Sequence, residues 1–206
     1  MTHMAIDIGN VIFHFDIEGF KTKLSKILYI SRSDVQFFLD WIHGFHDAGI
    51  TTFEKAIEHD FGPLYNNKKE ILEAWDNAIY PNSQVVSLLK TLKEVEGVKI
   101  AYLSNIGYEH ALLLKTKYSE IFSNSILHFS FEIGAIKPSK LFFQSFCLDH
   151  DEFSGCVYID DLENNLKTAK QYGFTTYQFN LNNFSTLSQS KQKIELDQMK
   201  ALILSR

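Results

Sequence analysis

Apolar residues in this chain follow two rhythms, and the change between them divides it. A short unbroken run, Met4-Ala5-Ile6, ends on Asp7, with Gly9-Asn10 and the apolar Val11-Ile12-Phe13 directly behind it. A run of this kind reads as a strand of a parallel sheet buried on both faces, with Asp7 at its C-terminal tip. From Asp16 to about Tyr80 the spacing is helical. Ile17, Phe20, Leu24 and Ile27 recur at helix intervals, as do Val35, Phe38, Leu39 and Ile42, then Phe53, Ala56 and Ile57, then Ile71, Trp75 and Ala78. Breaks at Ser31 to Ser33, around Gly44 to Thr52 and at Gly62-Pro63 separate these into four amphipathic helices.

Beyond Pro81, helix and strand alternate. Val85, Leu88, Leu89 and Leu92 mark a helical face ended by Gly97, and Val98 to Leu103 is a strand that stops at Ser104-Asn105. There follow a helix from about Tyr108 to Tyr118, a strand from Ile126 to Phe129, a loop to Lys137-Pro138 and a helix through Leu141, Phe142 and Phe146. The next strand, Cys156 to Ile159, ends on Asp160-Asp161. A helix from Glu163 to Tyr172 is capped by Gly173, and Thr175 to Phe179 is a last strand. Leu181 to Ser190 is rich in Asn and Ser and reads as a linker to a final helix marked by Leu196, Met199, Leu202 and Ile203. The alternation predicts an α/β fold, a Rossmann-like parallel sheet with helices on both faces. The expected organisation is a core domain of residues 1–15 and 81–206, with a small helical-bundle cap domain of residues 16–80 inserted after the first strand.

Composition narrows the function classes. The chain has 206 residues, 45% hydrophobic and 22% charged, which suits one globular domain carrying an insertion and excludes disorder. A net charge of -5 argues against a nucleic-acid partner, which would require a basic patch, but leaves a small anionic substrate open. No apolar run approaches the roughly 20 residues that cross a bilayer, and no basic stretch followed by an apolar core opens the sequence. A cytoplasmic protein with no membrane partner is expected. Cys147 and Cys156 lack metal-type spacing and sit in apolar contexts, so both read as buried reduced thiols.

Three expected strand tips are polar: Asp7, Ser104-Asn105 and Asp160-Asp161. In a parallel sheet they share the edge at which ligands bind, and Lys137 leads into a helix at that edge. Singly, Asp7 and the acidic pair could be turn caps, Ser104-Asn105 a helix cap and Lys137 a surface lysine. Together they read as chemistry. Clustered carboxylates repel unless neutralised, and hard oxygen ligands suit magnesium together with a phosphate. The Ser104 hydroxyl, the amides opening the next helix and the Lys137 ammonium would cradle phosphoryl oxygens, and Asp7 is the candidate nucleophile.

These residues resemble the motifs of the haloacid dehalogenase (HAD) superfamily. The matching stretches are Asp7-Ile8-Gly9-Asn10-Val11, Leu103-Ser104-Asn105, Lys137-Pro138, and Ile159-Asp160-Asp161 with Asn164-Asn165. The resemblance spans nearly the whole chain, helical cap included. The Gly-Asn-Val version of the first motif, followed by Phe15-Asp16, is similar to the epoxide-hydrolase N-domain-like and glucose-1-phosphatase-like subgroup. It implies a phosphatase in which Asp7 forms an aspartyl-phosphate, Ser104, Asn105 and Lys137 contact the phosphoryl oxygens, and Mg2+ is held by Asp7, the Gly9 carbonyl, Asp161 and Asp160, the last directly or through water. One departure matters: the general acid of the pattern lies two residues after the nucleophile, where this chain has Gly9, and nearby His14 or water would have to contact the substrate and supply the proton. The departure also admits a weak or inactive protein that binds a phosphorylated ligand or partner. A 2-haloacid dehalogenase is the remaining alternative, although that chemistry needs no paired acids at residues 160 and 161.

Overall fold

Met4, Ala5 and Ile6 are fully buried, and the strand they form, β1 (Thr2–Ile6), lies at the centre of a five-stranded sheet. The computed structural model describes residues 2–205, apart from the side chains of residues 63–65. After β1 come β2 (Phe13–Phe15), the helices α1 (Ile17–Leu28), α2 (Arg32–Asp47), α3 (Phe53–Phe61) and α4 (Lys68–Asp76), and β3 (Ile79–Pro81). The rest alternates: α5 (Ser83–Lys93), β4 (Val98–Ser104), α6 (Tyr108–Lys117), α7 (Ser119–Phe122), β5 (Ile126–Phe129), α8 (Ser130–Ile133), α9 (Lys140–Asp149), β6 (Val157–Asp160), α10 (Glu163–Gln171), β7 (Thr175–Gln178), α11 (Leu181–Ser185) and α12 (Gln189–Leu204).

The sheet order is β5-β4-β1-β6-β7, and every pairing in it is parallel. From β1 the chain moves outward through β4 and β5, then returns to β6 on the other side of β1. The loops after β1, β4 and β6 therefore leave one edge beside the point where strand order reverses, the usual ligand crevice of an open α/β sheet. Side chains alternate between two layers, as the period-two geometry of a strand requires. Met4 and Ile6 face a core with Leu89, Tyr102, Ile159 and Ile203, whereas Ala5 faces one with Leu103, Phe142, Phe146 and Tyr158. The expected α/β fold with a parallel sheet is the fold observed.

Helices α1 to α4 bury Phe20, Leu24, Phe38, Phe53, Ile71 and Trp75 in a third cluster of their own. Asp16, Ser31 and Thr52 each cap a helix by accepting from Gly19, Asp34 and Lys55 amides, which satisfies otherwise orphaned donors. Phe53 stacks on Trp75 with ring centroids 4.2 Å apart. The structure departs from the sequence reading at several points. β2 and β3 pair as an antiparallel ribbon, Phe13 opposite Pro81 and Phe15 opposite Ile79, and strands of three residues are too short to show a period. α2 runs through Gly44 to Asp47, because burial of Ile42, His46 and Asp47 offsets the cost of about 1 kcal/mol for one helical glycine. The Asn-rich stretch after Phe179 is partly helical: Asn180 caps α11, and Leu181 and Phe184 are buried. Cys156 is buried, but Cys147 is only half-buried, and both are free. Among the described residues, no helix is long and apolar enough to cross a membrane.

The helical insert meets the sheet half through His46 of α2. Its Nε2 lies 3.2 Å from Glu109 Oε2 on α6, and its Nδ1 lies 3.1 Å from Asp47 Oδ1. The imidazole sits against Gly107, where an added Cβ would fall 1.9 Å from the ring. Only glycine at 107 allows this approach. Burial, the largest single influence, lowers the His46 pKa, yet the hydrogen bonds and charges of Asp47 and Glu109 together raise it to about 9. Because the folded pKa lies above the ordinary value of 6.5, the contact stabilises fully below about pH 6.5 and is lost as pH rises through about 9. At about 1.4 kcal/mol per unit, the shift corresponds to about 3 kcal/mol. Imidazole NMR titration of the folded protein should place His46 near 9. Unfolding free energy should fall between those pH limits in the wild type and much less in His46→Gln; equal slopes would refute the contact's role.

Candidate active site

The tip of β1 is tied to β6 by a hydrogen bond from the Asp7 amide to the Ile159 carbonyl (2.9 Å). The Ile8 amide donates to Asp7 Oδ1 at 2.7 Å, which leaves Oδ2 without a partner among the described residues. In the turn that follows, the left-handed residue is Asn10 (φ 52°). Gly9 is not left-handed, and a Cβ placed on it meets nothing within 4 Å. Glycine at position 9 is therefore not demanded by backbone geometry or by crowding.

Lys137 joins the strand tips. Its Nζ lies 2.9 Å from Asp7 Oδ1 and 2.8 Å from Asp160 Oδ2, and donates to the Leu103 carbonyl (2.8 Å) and the Tyr158 hydroxyl (3.0 Å). Strands β1, β4 and β6 thus converge on one buried ammonium. Asn105 fixes the loop that carries it, donating to the Lys137 carbonyl at 2.9 Å and accepting from the Lys137 amide at 2.7 Å. Expected at the phosphate, Asn105 instead commits its amide to backbone. Asp160, fully buried, accepts from Lys137, the Tyr158 hydroxyl, the Leu162 amide (2.8 Å) and Asn165 Nδ2 (3.0 and 3.1 Å). Asp161 accepts a long contact from Asn180 Nδ2 (3.5 Å), one from the Asn10 side chain and one from its own backbone amide.

One carboxylate oxygen from each of Asp7, Asp160 and Asp161 lies within 4.8 Å of the other two. Burial above all, then repulsion from Asp160, raises Asp7 to about 7 against the opposing pull of Lys137. The same two causes raise Asp161 to about 6. Burial lowers the Lys137 pKa, but Asp160 and Asp7 outweigh it and raise it. Negative charge thus exceeds the one ammonium that faces it. A cluster of hard oxygens with surplus charge fits Mg2+, which takes a few carboxylates and keeps open positions. Asp7 and the lightly held Asp161 are the carboxylates best placed to ligate.

Ser104 ends β4, buried, its hydroxyl making only a 3.5 Å contact to the Asn105 carbonyl among the described residues. No side chain caps the start of α6, whose N-cap is Gly107. A cavity of about 480 Å³ opens above Asp7, with Gly9, Ser104, Lys137 and Asp161 in its floor and Phe15, Ile42 and Trp75 in its walls. His43, His46 and Asp47 line it. His14 does not: it lies on β2, stacked on Tyr80 of β3 at 5.1 Å. The sequence reading passed over Ser130, whose hydroxyl accepts from the Ile106 amide at 2.9 Å and so braces the loop after Ser104. It also passed over Tyr158, an inward position of β6 that period-two counting could have found.

No family model and no curated protein sequence matches the chain. Solved structures do. A HAD-family enzyme of Bacteroides thetaiotaomicron, in complex with magnesium and inorganic phosphate, is 22% identical over 93% of this chain and 98% of its own, with a TM-score of 0.76. A predicted HAD-like hydrolase of Porphyromonas gingivalis is 18% identical over 87% of this chain and 91% of its own, at 0.70. A HAD phosphatase of Thermococcus onnurineus is 21% identical over 87% and 86%, at 0.61. Likeness at these identities is likeness of fold. The chain has the α/β fold of HAD-family enzymes, with Asp7, Ser104, Lys137 and Asp161 gathered at the C-terminal edge of its sheet.

Proposed function

We propose that this chain is a magnesium-dependent phosphatase of the HAD superfamily, acting on a small phosphorylated metabolite through an aspartyl-phosphate on Asp7. The observation that carries the reading is the Lys137 ammonium 2.9 Å from Asp7, within a three-carboxylate cluster at the floor of a cavity. That a fold relative holds magnesium and inorganic phosphate is consistent with it.

Asp7 Oδ1 is held by the Ile8 amide and Lys137, so Oδ2 is the oxygen that attacks phosphorus. The bond from phosphorus to the leaving oxygen breaks, and that oxygen takes a proton from water. Water then attacks the phosphoryl group, which leaves as inorganic phosphate and restores the Asp7 carboxylate. Lys137, the Ser104 hydroxyl and amides at the start of α6 hold the phosphoryl oxygens. Asp160, with its oxygens engaged, acts by positioning Lys137. Asp7, the Gly9 carbonyl and Asp161 would hold Mg2+, which when bound offsets the repulsion between Asp7 and a phosphate dianion. The helical insert serves as a cap, walling the cavity from water.

Asp7→Asn keeps the shape of the site and removes the attacking charge. Phosphate release should fall on the order of 10³-fold or more with the circular dichroism spectrum unchanged; near wild-type release would refute the nucleophile.

Activity should require Mg2+ and collapse in Asp161→Ala, whose lost carboxylate has no substitute in the cluster. Undiminished phosphate release in excess EDTA would overturn the metal's role. Release of halide from a 2-haloacid under the same conditions would favour the dehalogenase reading.

Gly9→Asp should speed poor leaving groups, by up to about 10²-fold, because it restores a proton donor at a position with space for a side chain. The gain should vanish for aryl phosphates that leave readily. A leaving-group series with identical slopes in both proteins would rule out an acid deficit.

A further inference from the structure

The wall of the cavity opposite Asp7 belongs mainly to α2, which turns one face to it, with Gln36, Asp40, His43 and Asp47 spaced at helix intervals. Among the described residues no arginine lines the cavity, and Lys137 is the one lining lysine. Lys137 is already bound to Asp7 and Asp160. The His46 imidazolium is likewise committed, one nitrogen to Asp47 and the other to Glu109. His110, lowered to about 4 by burial, is neutral. His43 is exposed, with Nδ1 3.1 Å from Asp47 Oδ2, so Asp47 lies between two imidazoles. Asp40 is exposed and accepts one bond, from Gln36 Nε2 at 2.5 Å. Between this polar face and the floor the wall is apolar: Leu39, Ile42, Phe53 and Trp75. Both faces of the Trp75 ring are covered, by Phe53 at 4.2 Å and by His110 at 4.4 Å, so a ligand meets ring edges and finds no stacking platform there.

We infer that the substrate carries its only anionic group at the phosphate, has an apolar middle, and ends in a neutral hydroxyl-bearing or cationic group that faces Asp40 and His43. A second phosphate or a carboxylate at that end would meet the Asp40 and Asp47 carboxylates and, among the described lining residues, no lysine or arginine to offset them. This rests on the proposed phosphate site at Asp7. It excludes bisphosphates, nucleoside di- and triphosphates and phosphorylated carboxylic acids as preferred substrates.

The test uses three aryl phosphates of matched size, 4-(2-aminoethyl)phenyl, 4-(2-hydroxyethyl)phenyl and 4-(carboxymethyl)phenyl phosphate. Calorimetric binding to Asp7→Asn with Mg2+ reads the preference without turnover. Affinity should fall from amine to hydroxyl to carboxylate, with about a tenfold gap between the extremes that narrows at high salt. Asp40→Lys should invert the order. Carboxylate binding as tight as hydroxyl binding, or an order unmoved by Asp40→Lys, overturns the inference, as does failure of all three to bind where inorganic phosphate binds. The expected order in the absence of phosphate release by the wild type would refute the phosphatase reading and leave the charge preference standing.

Discussion

A buried ammonium organises this protein. Lys137 Nζ is almost wholly withdrawn from water, and an unpaired charge there would cost several kcal/mol. Its partners come from three different strand ends: Asp7 after β1, the Leu103 carbonyl on β4, and Tyr158 and Asp160 on β6. The charge is tolerable only if those strands stand in one register, so the register of the sheet and the geometry of the site are a single constraint. Burying such a cluster does little for net stability, since apolar packing of equal volume would do as well. What it secures is position: Asp7 Oδ1 is pinned and Oδ2 is left open.

The helical insert is attached differently. Its core is separate from the two layers around the sheet, and it joins the remainder through the short β2–β3 ribbon and the docking of His46 against Gly107 and Glu109. The Glu54 amide also donates to Glu109, and His110 of α6 pairs with the Trp75 carbonyl and stacks on the Trp75 ring; the cavity lies along this boundary. The charges follow the same division: the floor gathers carboxylates around Lys137, whereas the α2 wall gathers them around His46.

Gly9 is where local pattern and site geometry part. Its backbone is ordinary and the space beside it is open, so the missing carboxyl is a chemical difference and not a steric one. His14, the nearest histidine in sequence, is turned away on the ribbon against Tyr80. The histidines that reach the cavity come from α2 and α6, more than thirty residues beyond Gly9.

Periodicity in the sequence determined the elements, because burial on one face of a helix or both faces of a strand leaves a regular trace that no partner is needed to read. The run ending at Asp7, the four helical faces between Ile17 and Trp75 and the polar tips at Ser104 and Asp160-Asp161 were all legible in this way. The different tasks of neighbouring residues were not. Asp160 and Asp161 are alike in sequence, yet one is enclosed by five donor contacts and the other is nearly free. Asn105 reads as a phosphate contact and instead grips the backbone of Lys137, thirty-two residues on. Gly107 reads as a helix start, and only the arrival of His46 from another unit gives its missing side chain a reason. Each of these depends on which distant group takes a donor, an acceptor or a gap. Tertiary structure alone decides that, because hydrogen bonds and close contacts act over ångströms in space and carry no period along the chain.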